Sequence, residues 1–174
     1  MTHFSLARGL DIRDLDVLIV EDNPYMRKIL LAILRAFKVK NVRQAVEGGA
    51  ALAEMRASCP NLVITDWEMA PMNGHELLQR QRLRTNKPAC FVPSIVLTAH
   101  GRKSLVREAF DAGATQFLVK PVTAAALLQR IEWVLDDNRP YDLMGAKYIQ
   151  KMKLHFPGSE SGDKTDAIWM IDAD

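Results

Sequence analysis

Cysteine is scarce in this chain: the 174 residues hold only Cys59 and Cys90, far apart and with no Cys or His beside either at ligand spacing. That excludes a disulfide framework and a zinc cluster, and both read as reduced thiols. Long hydrophobic runs are also missing. The longest, Ile29 to Leu34, is far short of the roughly 20 residues a membrane helix needs, and the N-terminal stretch with His3, Arg8, Asp11, Arg13 and Asp14 has no signal-peptide core. An excess of one charge is absent too. Lys and Arg total 23 against 21 acids, a formal charge of +2, which gives no electrostatic case for a nucleic-acid or membrane surface. The expectation is a cytoplasmic protein whose partners must be argued from its sites.

The chain does have the makings of a core. Its residues are 48% hydrophobic and 25% charged, as in soluble globular proteins. Val17 to Val20 is a wholly apolar run that stops abruptly at Glu21-Asp22-Asn23-Pro24, as a strand buried on both faces does at its loop. Met26, Ile29, Leu30, Ile33, Leu34 and Phe37 then recur at helical spacing, with Asn23 as cap and Pro24 in the first turn. The alternation repeats. Strands are expected at Val42 to Ala45, Leu62 to Thr65, Ser94 to Thr98 and Gln116 to Val119. Helices are expected at Ala50 to Ala57, His75 to Arg84, Lys103 to Ala112 and Thr123 to Asp136. Strand-helix alternation is the sequence form of a doubly wound α/β fold with a five-stranded parallel sheet.

In such sheets ligands bind beyond the carboxyl ends of the strands. Those ends hold Glu21 and Asp22, Asp66, Thr98 and Lys120. Carboxylates gathered at one rim repel by about 4 kcal/mol per pair at roughly 4 Å in an effective dielectric of about 20, so the cluster calls for a cation. Oxygen-only ligands select a hard ion, and Mg2+ commonly takes one or two carboxylates with waters and a phosphate oxygen. Asp22 and Asp66 are the expected direct ligands, with Glu21 acting through water and the Glu68 main-chain carbonyl adding a contact. An aspartate can also be the nucleophile of phosphoryl transfer, which needs a cation and a hydroxyl beside it. Lys120 and Thr98 supply them. Taken singly, Asp22 is an ordinary helix cap, Asp66 a loop acid, Lys120 a surface lysine and Thr98 a strand-end hydroxyl. Their placement at successive strand ends favours the chemical reading.

Over roughly Asp16 to Asn138 the chain resembles the CheY-like response-regulator receiver family of two-component signalling. The residues that carry the likeness are Val17-Leu-Ile-Val-Glu21-Asp22-Asn, Leu62-Val-Ile-Thr-Asp66-Trp-Glu-Met-Ala-Pro-Met-Asn-Gly74, Ile95-Val-Leu-Thr98-Ala99 and Phe117-Leu-Val-Lys120-Pro121. The resemblance implies strand order 2-1-3-4-5, and phosphorylation of Asp66 by a histidine kinase or histidine phosphotransfer protein with Mg2+. It further implies coupled movement of Thr98 and Phe117 that alters a partner surface on the fourth helix, fifth strand and fifth helix. Glu68 and His100 match positions that flank the route of the attacking water and tune dephosphorylation. The chain is thus expected to be a phosphoacceptor with self-catalysed transfer and autodephosphorylation rather than an enzyme of metabolism. Two departures stand out: Pro71 lies one place later than the usual Met-Pro, and Phe117 lacks a tyrosine's hydroxyl.

Other readings compete. A haloacid-dehalogenase-like phosphatase needs an aspartate two residues after its nucleophile, where this chain has Glu68; a pure scaffold would lack acids that are all present here. Residues 1–14 read as an N-terminal extension, 15–138 as the receiver domain and 139–174 as a C-terminal tail without a recognisable output domain. The apolar Ala167 to Ile171 is expected to dock as an added strand, and a homodimer through the fourth helix, fifth strand and fifth helix or through the tail is compatible with this organisation.

Overall fold

A computed structural model of the chain describes residues 1–151. Five parallel strands, β1 (Asp16–Val20), β2 (Asn41–Ala45), β3 (Leu62–Asp66), β4 (Ser94–Thr98) and β5 (Gln116–Val119), form one sheet in the order β2-β1-β3-β4-β5. The helices between and after them are α1 (Pro24–Ala36), α2 (Gly48–Ala57), α3 (Gly74–Gln81), α4 (Lys103–Ala112) and α5 (Ala124–Asp136). This is the flavodoxin-like, doubly wound arrangement.

The strand side chains alternate between faces, and the helices divide accordingly. Val17, Ile19, Ile64, Ile95, Leu97 and Leu118 pack with Leu30 and Leu34 of α1 and Leu127, Ile131 and Val134 of α5. Leu18, Val20 and Val63 point the other way, against Ala51, Leu52 and Met55 of α2 and Leu77 of α3. Val96 and Phe117 meet Leu78 of α3 and Ala109 and Phe110 of α4 on that same side. Because β1, β3 and β4 are covered on both faces, they read as continuous apolar runs.

Local signals fix the helix starts. Asn23 Oδ1 accepts from the amides of Tyr25 at 2.9 Å and Met26 at 3.3 Å, with Pro24 in the first turn. Asn73 and Glu76 form a reciprocal capping box on α3. The expected third helix, His75 to Arg84, stops short at Gln81. Its continuation is captured by backbone pairing: Arg82 O accepts from the amide of Tyr148 and the Arg84 amide donates to Ala146 O, both at 2.8 Å.

That pairing belongs to an element absent from the sequence reading. β6 (Tyr141–Met144) and β7 (Lys147–Gln150) form an antiparallel hairpin within the segment expected to be a tail. Its turn uses Gly145 at φ 62°, the left-handed region that glycine enters at no cost. β6 bridges to His3, and Leu6 donates to Phe91 O at 3.2 Å and Gly9 to Leu135 O at 2.9 Å. Residues before β1 and the β6–β7 hairpin therefore meet at the amino ends of the strands, opposite the rim that carries the candidate site. Arg82 lies fully buried there. The segment Ala167 to Ile171 lies outside the described residues. Among the described residues, no helix is long and apolar enough to cross a membrane.

Candidate functional site

At the carboxyl rim, β1 ends in Glu21 and Asp22 and the adjacent β3 ends in Asp66. Glu21 is 1% exposed and Asp66 5% exposed, whereas Asp22 faces solvent. A ligand oxygen from each lies within 4.8 Å of those of the other two. β5 leads to Lys120, whose Nζ stands 3.0 Å from Glu21 Oε2 and 3.0 Å from Asp66 Oδ1. The structure thus brings together the four ionisable residues expected at the strand ends.

Burial raises the carboxyl pKa of both Glu21 and Asp66, while hydrogen bonds from Lys120 oppose the shift. The Lys120 ammonium is also disfavoured by desolvation, but its contacts with Glu21 and Asp66 outweigh that and raise its pKa. Three acids gather about one half-buried ammonium, so the rim keeps an excess of negative charge. The donor set suits a hard divalent ion. It consists of carboxylate oxygens alone, and the 4.8 Å spread is close to twice a Mg–O bond of about 2.1 Å.

The backbone around the acids is closely held. Asp66 Oδ1 accepts from the Trp67 amide at 2.9 Å, and Glu21 Oε1 from the Asn23 amide at 3.1 Å. Gly74, the first residue of α3, packs directly on the Asp66 carbonyl, and any side chain there would collide with it. Met69 is buried among Val20, Ala45 and Leu77, and Met72 O accepts from the Gly48 amide at 3.0 Å, so the loop containing the displaced Pro71 is pinned to the start of α2.

Thr98, fully buried at the end of β4, accepts at Oγ1 from the His100 amide at 3.2 Å. The Phe117 ring is 6% exposed and packs with Trp67, Val96 and Phe110. Glu68 Oε1 and His100 Nε2 lie 3.7 Å apart on the surface. One polar contact of the rim escaped sequence reasoning: Arg27 Nη1 donates to Glu21 O at 2.7 Å and to Asp22 O at 3.0 Å. The available signal was a long basic side chain in the first turn of the helix that follows the acidic pair.

Residues 17–132 match the response regulator receiver domain family. The chain is 31% identical over 124 residues to the chemotaxis protein CheY-3 of Vibrio cholerae serotype O1, a match covering 71% of this chain and 94% of that protein. Among solved structures it is similar to the chemotaxis response regulator CheY4 of Vibrio cholerae, with 29% identity, 70% and 99% of the two chains covered and a TM-score of 0.65. It is similar as well to a chain of the Saccharomyces cerevisiae complex between the histidine phosphotransfer signalling protein Ypd1 and the receiver domain of its downstream response regulator Ssk1. That likeness has 26% identity, 70% and 89% coverage and a TM-score of 0.63.

Proposed function

Because the chain belongs to the response regulator receiver domain family, the CheY-like module of two-component signalling, we propose that it accepts a phosphoryl group on Asp66 and thereby switches a protein-interaction surface. The donor is a phosphohistidine on a histidine kinase or histidine phosphotransfer protein; the partnership in the yeast complex supports the second. The observation that carries the reading is the bridging of Glu21 and Asp66 by one ammonium, with Asp22 completing the acidic cluster.

In the transfer, an Asp66 carboxylate oxygen gives an electron pair to phosphorus, and the bond to the donor imidazole breaks with its pair on the ring nitrogen. Glu21, Asp22 and Asp66, with the Glu68 main-chain carbonyl, would hold Mg2+, which when bound neutralises charge on the phosphoryl oxygens. Lys120 contributes a second positive charge within reach of the same oxygens. The Thr98 hydroxyl exchanges its bond with the His100 amide for one to the phosphoryl group. Since Thr98 and Phe117 lie on neighbouring strands, movement of Thr98 biases the ring of Phe117 and the surface of α4, β5 and α5, which is a shift between two populated states. We read residues 15–138 as the receiver unit.

Acetyl phosphate with Mg2+ tests the reading. Intact-mass spectrometry should record one added phosphoryl group in the natural chain and none in Asp66→Asn or after chelation. Equal labelling of Asp66→Asn would overturn the assignment.

A further inference from the structure

We infer that Arg27 is a positioning residue of the rim, one that aims Asp22 at the divalent cation by fixing the backbone beneath it; this rests on the proposed Mg2+ site.

The inference starts from what restrains the acidic loop. Glu21 is held throughout: its amide donates to Ala45 O at 3.1 Å, one carboxylate oxygen receives Asn23 and the other receives Lys120. Asp22 is exposed, and among the described residues no hydrogen bond reaches its carboxylate. What the fold fixes for this ligand is the place of its backbone and the Cα–Cβ direction from which the carboxylate reaches the cation. Arg27 makes two contacts there, its Nη1 donating to the carbonyls of Glu21 and of Asp22.

The helix makes this reach natural. Long side chains in an α-helix lean toward its N-terminus, and Arg27 sits in the first turn of α1, its amide bonded to Asn23 O at 3.0 Å. The guanidinium consequently folds back over the loop that precedes the helix. It binds carbonyls and leaves all three carboxylates to the cation, so it orients ligands without competing for them. Supporting groups of this kind commonly change metal affinity by about 10- to 100-fold.

Charge and geometry predict opposite signs, which makes the role testable. A guanidinium near the rim repels a divalent cation, so if its charge were all that mattered, removing it would tighten Mg2+ binding. If Arg27 holds Asp22 in place, removing it weakens binding despite the relieved repulsion. The experiment is an Mg2+ titration followed by the backbone amide shifts of Asp22 and Trp67, on the natural chain, Arg27→Met and Arg27→Lys, with melting curves recorded in parallel. Arg27→Met should raise the Mg2+ Kd about tenfold with little change in melting temperature. Arg27→Lys, which keeps the charge on a shorter arm, should also bind more weakly than the natural chain. Equal or tighter binding by Arg27→Met overturns the positioning role; where that variant does not fold, unchanged affinity in Arg27→Lys does so. A natural chain whose amide shifts ignore Mg2+ instead overturns the metal reading beneath it.

Discussion

The Nζ of Lys120 lies 3.0 Å from Glu21 Oε2, across 99 positions of sequence, and reaches Asp66 at the same distance. One ammonium thus offsets two buried carboxylates. Removing it leaves both uncompensated, a change that typically costs a few kcal/mol for a buried pair. Lys120→Met should lose about 2 to 3 kcal/mol in the absence of metal. It should regain more stability from Mg2+ than the natural chain does, since the competing cation is gone and a ligand bound only by the folded state stabilises it. Thermal unfolding with and without Mg2+ measures both. Identical Mg2+-dependent increments in the two proteins would show that the lysine and the metal do not share these oxygens.

Glu21 and Asp66 carry pKa values raised by burial above their ordinary 4.5 and 3.8. A raised folded-state value means that the folded chain binds the proton more tightly than the unfolded one. The associated stability is fully present below about pH 4 and is lost as pH rises through the folded pKa. At pH 7 in chelator, Asp66→Asn should therefore melt higher than the natural chain, by about 2 to 4 °C for a change on the order of 1 kcal/mol. The difference should shrink as the pH is lowered into the carboxylate range. A variant that melts lower than the natural chain at pH 7 would reverse the sign.

Arg82 is fully buried, and among the described residues no carboxylate pairs with it. It donates to the carbonyls of Gly113 at 2.9 Å, Cys90 at 3.0 Å and Val92 at 2.6 Å and to Ser94 Oγ at 3.3 Å, with the Tyr141 ring 5.2 Å away. It ties the end of α3 to the end of α4, the entry to β4 and the hairpin. Desolvation lowers its pKa, yet its loss would take the side-chain donor from the Gly113 and Cys90 carbonyls at about 1 to 3 kcal/mol each, while Val92 O keeps Gln81 Nε2 at 3.0 Å. Arg82→Met should destabilise by about 3 kcal/mol or more in denaturant unfolding while leaving phosphorylation of Asp66 intact well below the transition. A loss under 1 kcal/mol would mean that water replaces the guanidinium.

The contrast between these regions explains what the sequence could reveal. β4, α4 and β5 are found at the expected positions Ser94–Thr98, Lys103–Ala112 and Gln116–Val119, because buried runs and an amphipathic stripe are local patterns. Glu21, Asp22, Asp66 and Lys120 could be placed at one rim for a related reason: in a parallel sheet, the residue that ends each apolar run must lie there. The end of α3 was illegible, since it is decided by Tyr148 pairing with Arg82, 66 positions apart by their numbering. The hairpin itself was hidden by Asp142, Lys147 and Lys151, which read as a polar tail until Tyr141 and Tyr148 find Phe91. Arg27 acts on carbonyls, which every residue has, and so its targets carry no signature.

Glu68 and His100 face each other at 3.7 Å, both more than half exposed, two places beyond Asp66 and Thr98 respectively. A contact this exposed contributes little to stability, so Glu68→Ala and His100→Ala should melt within about 0.5 kcal/mol of the natural chain. Its consequence is kinetic. If the pair narrows the path of water to the acyl phosphate on Asp66, opening it lowers the hydrolytic barrier, and each variant should lose the phosphoryl group about threefold faster, a barrier change below 1 kcal/mol. Because either substitution alone opens the pair, the double variant should be no faster than the singles, and the coupling read from the mutant cycle equals the single effect. Decay of the phosphorylated species after removal of the phosphodonor provides the rates. Unchanged rates would remove both residues from the water path, and strictly additive effects would mean that they act there independently.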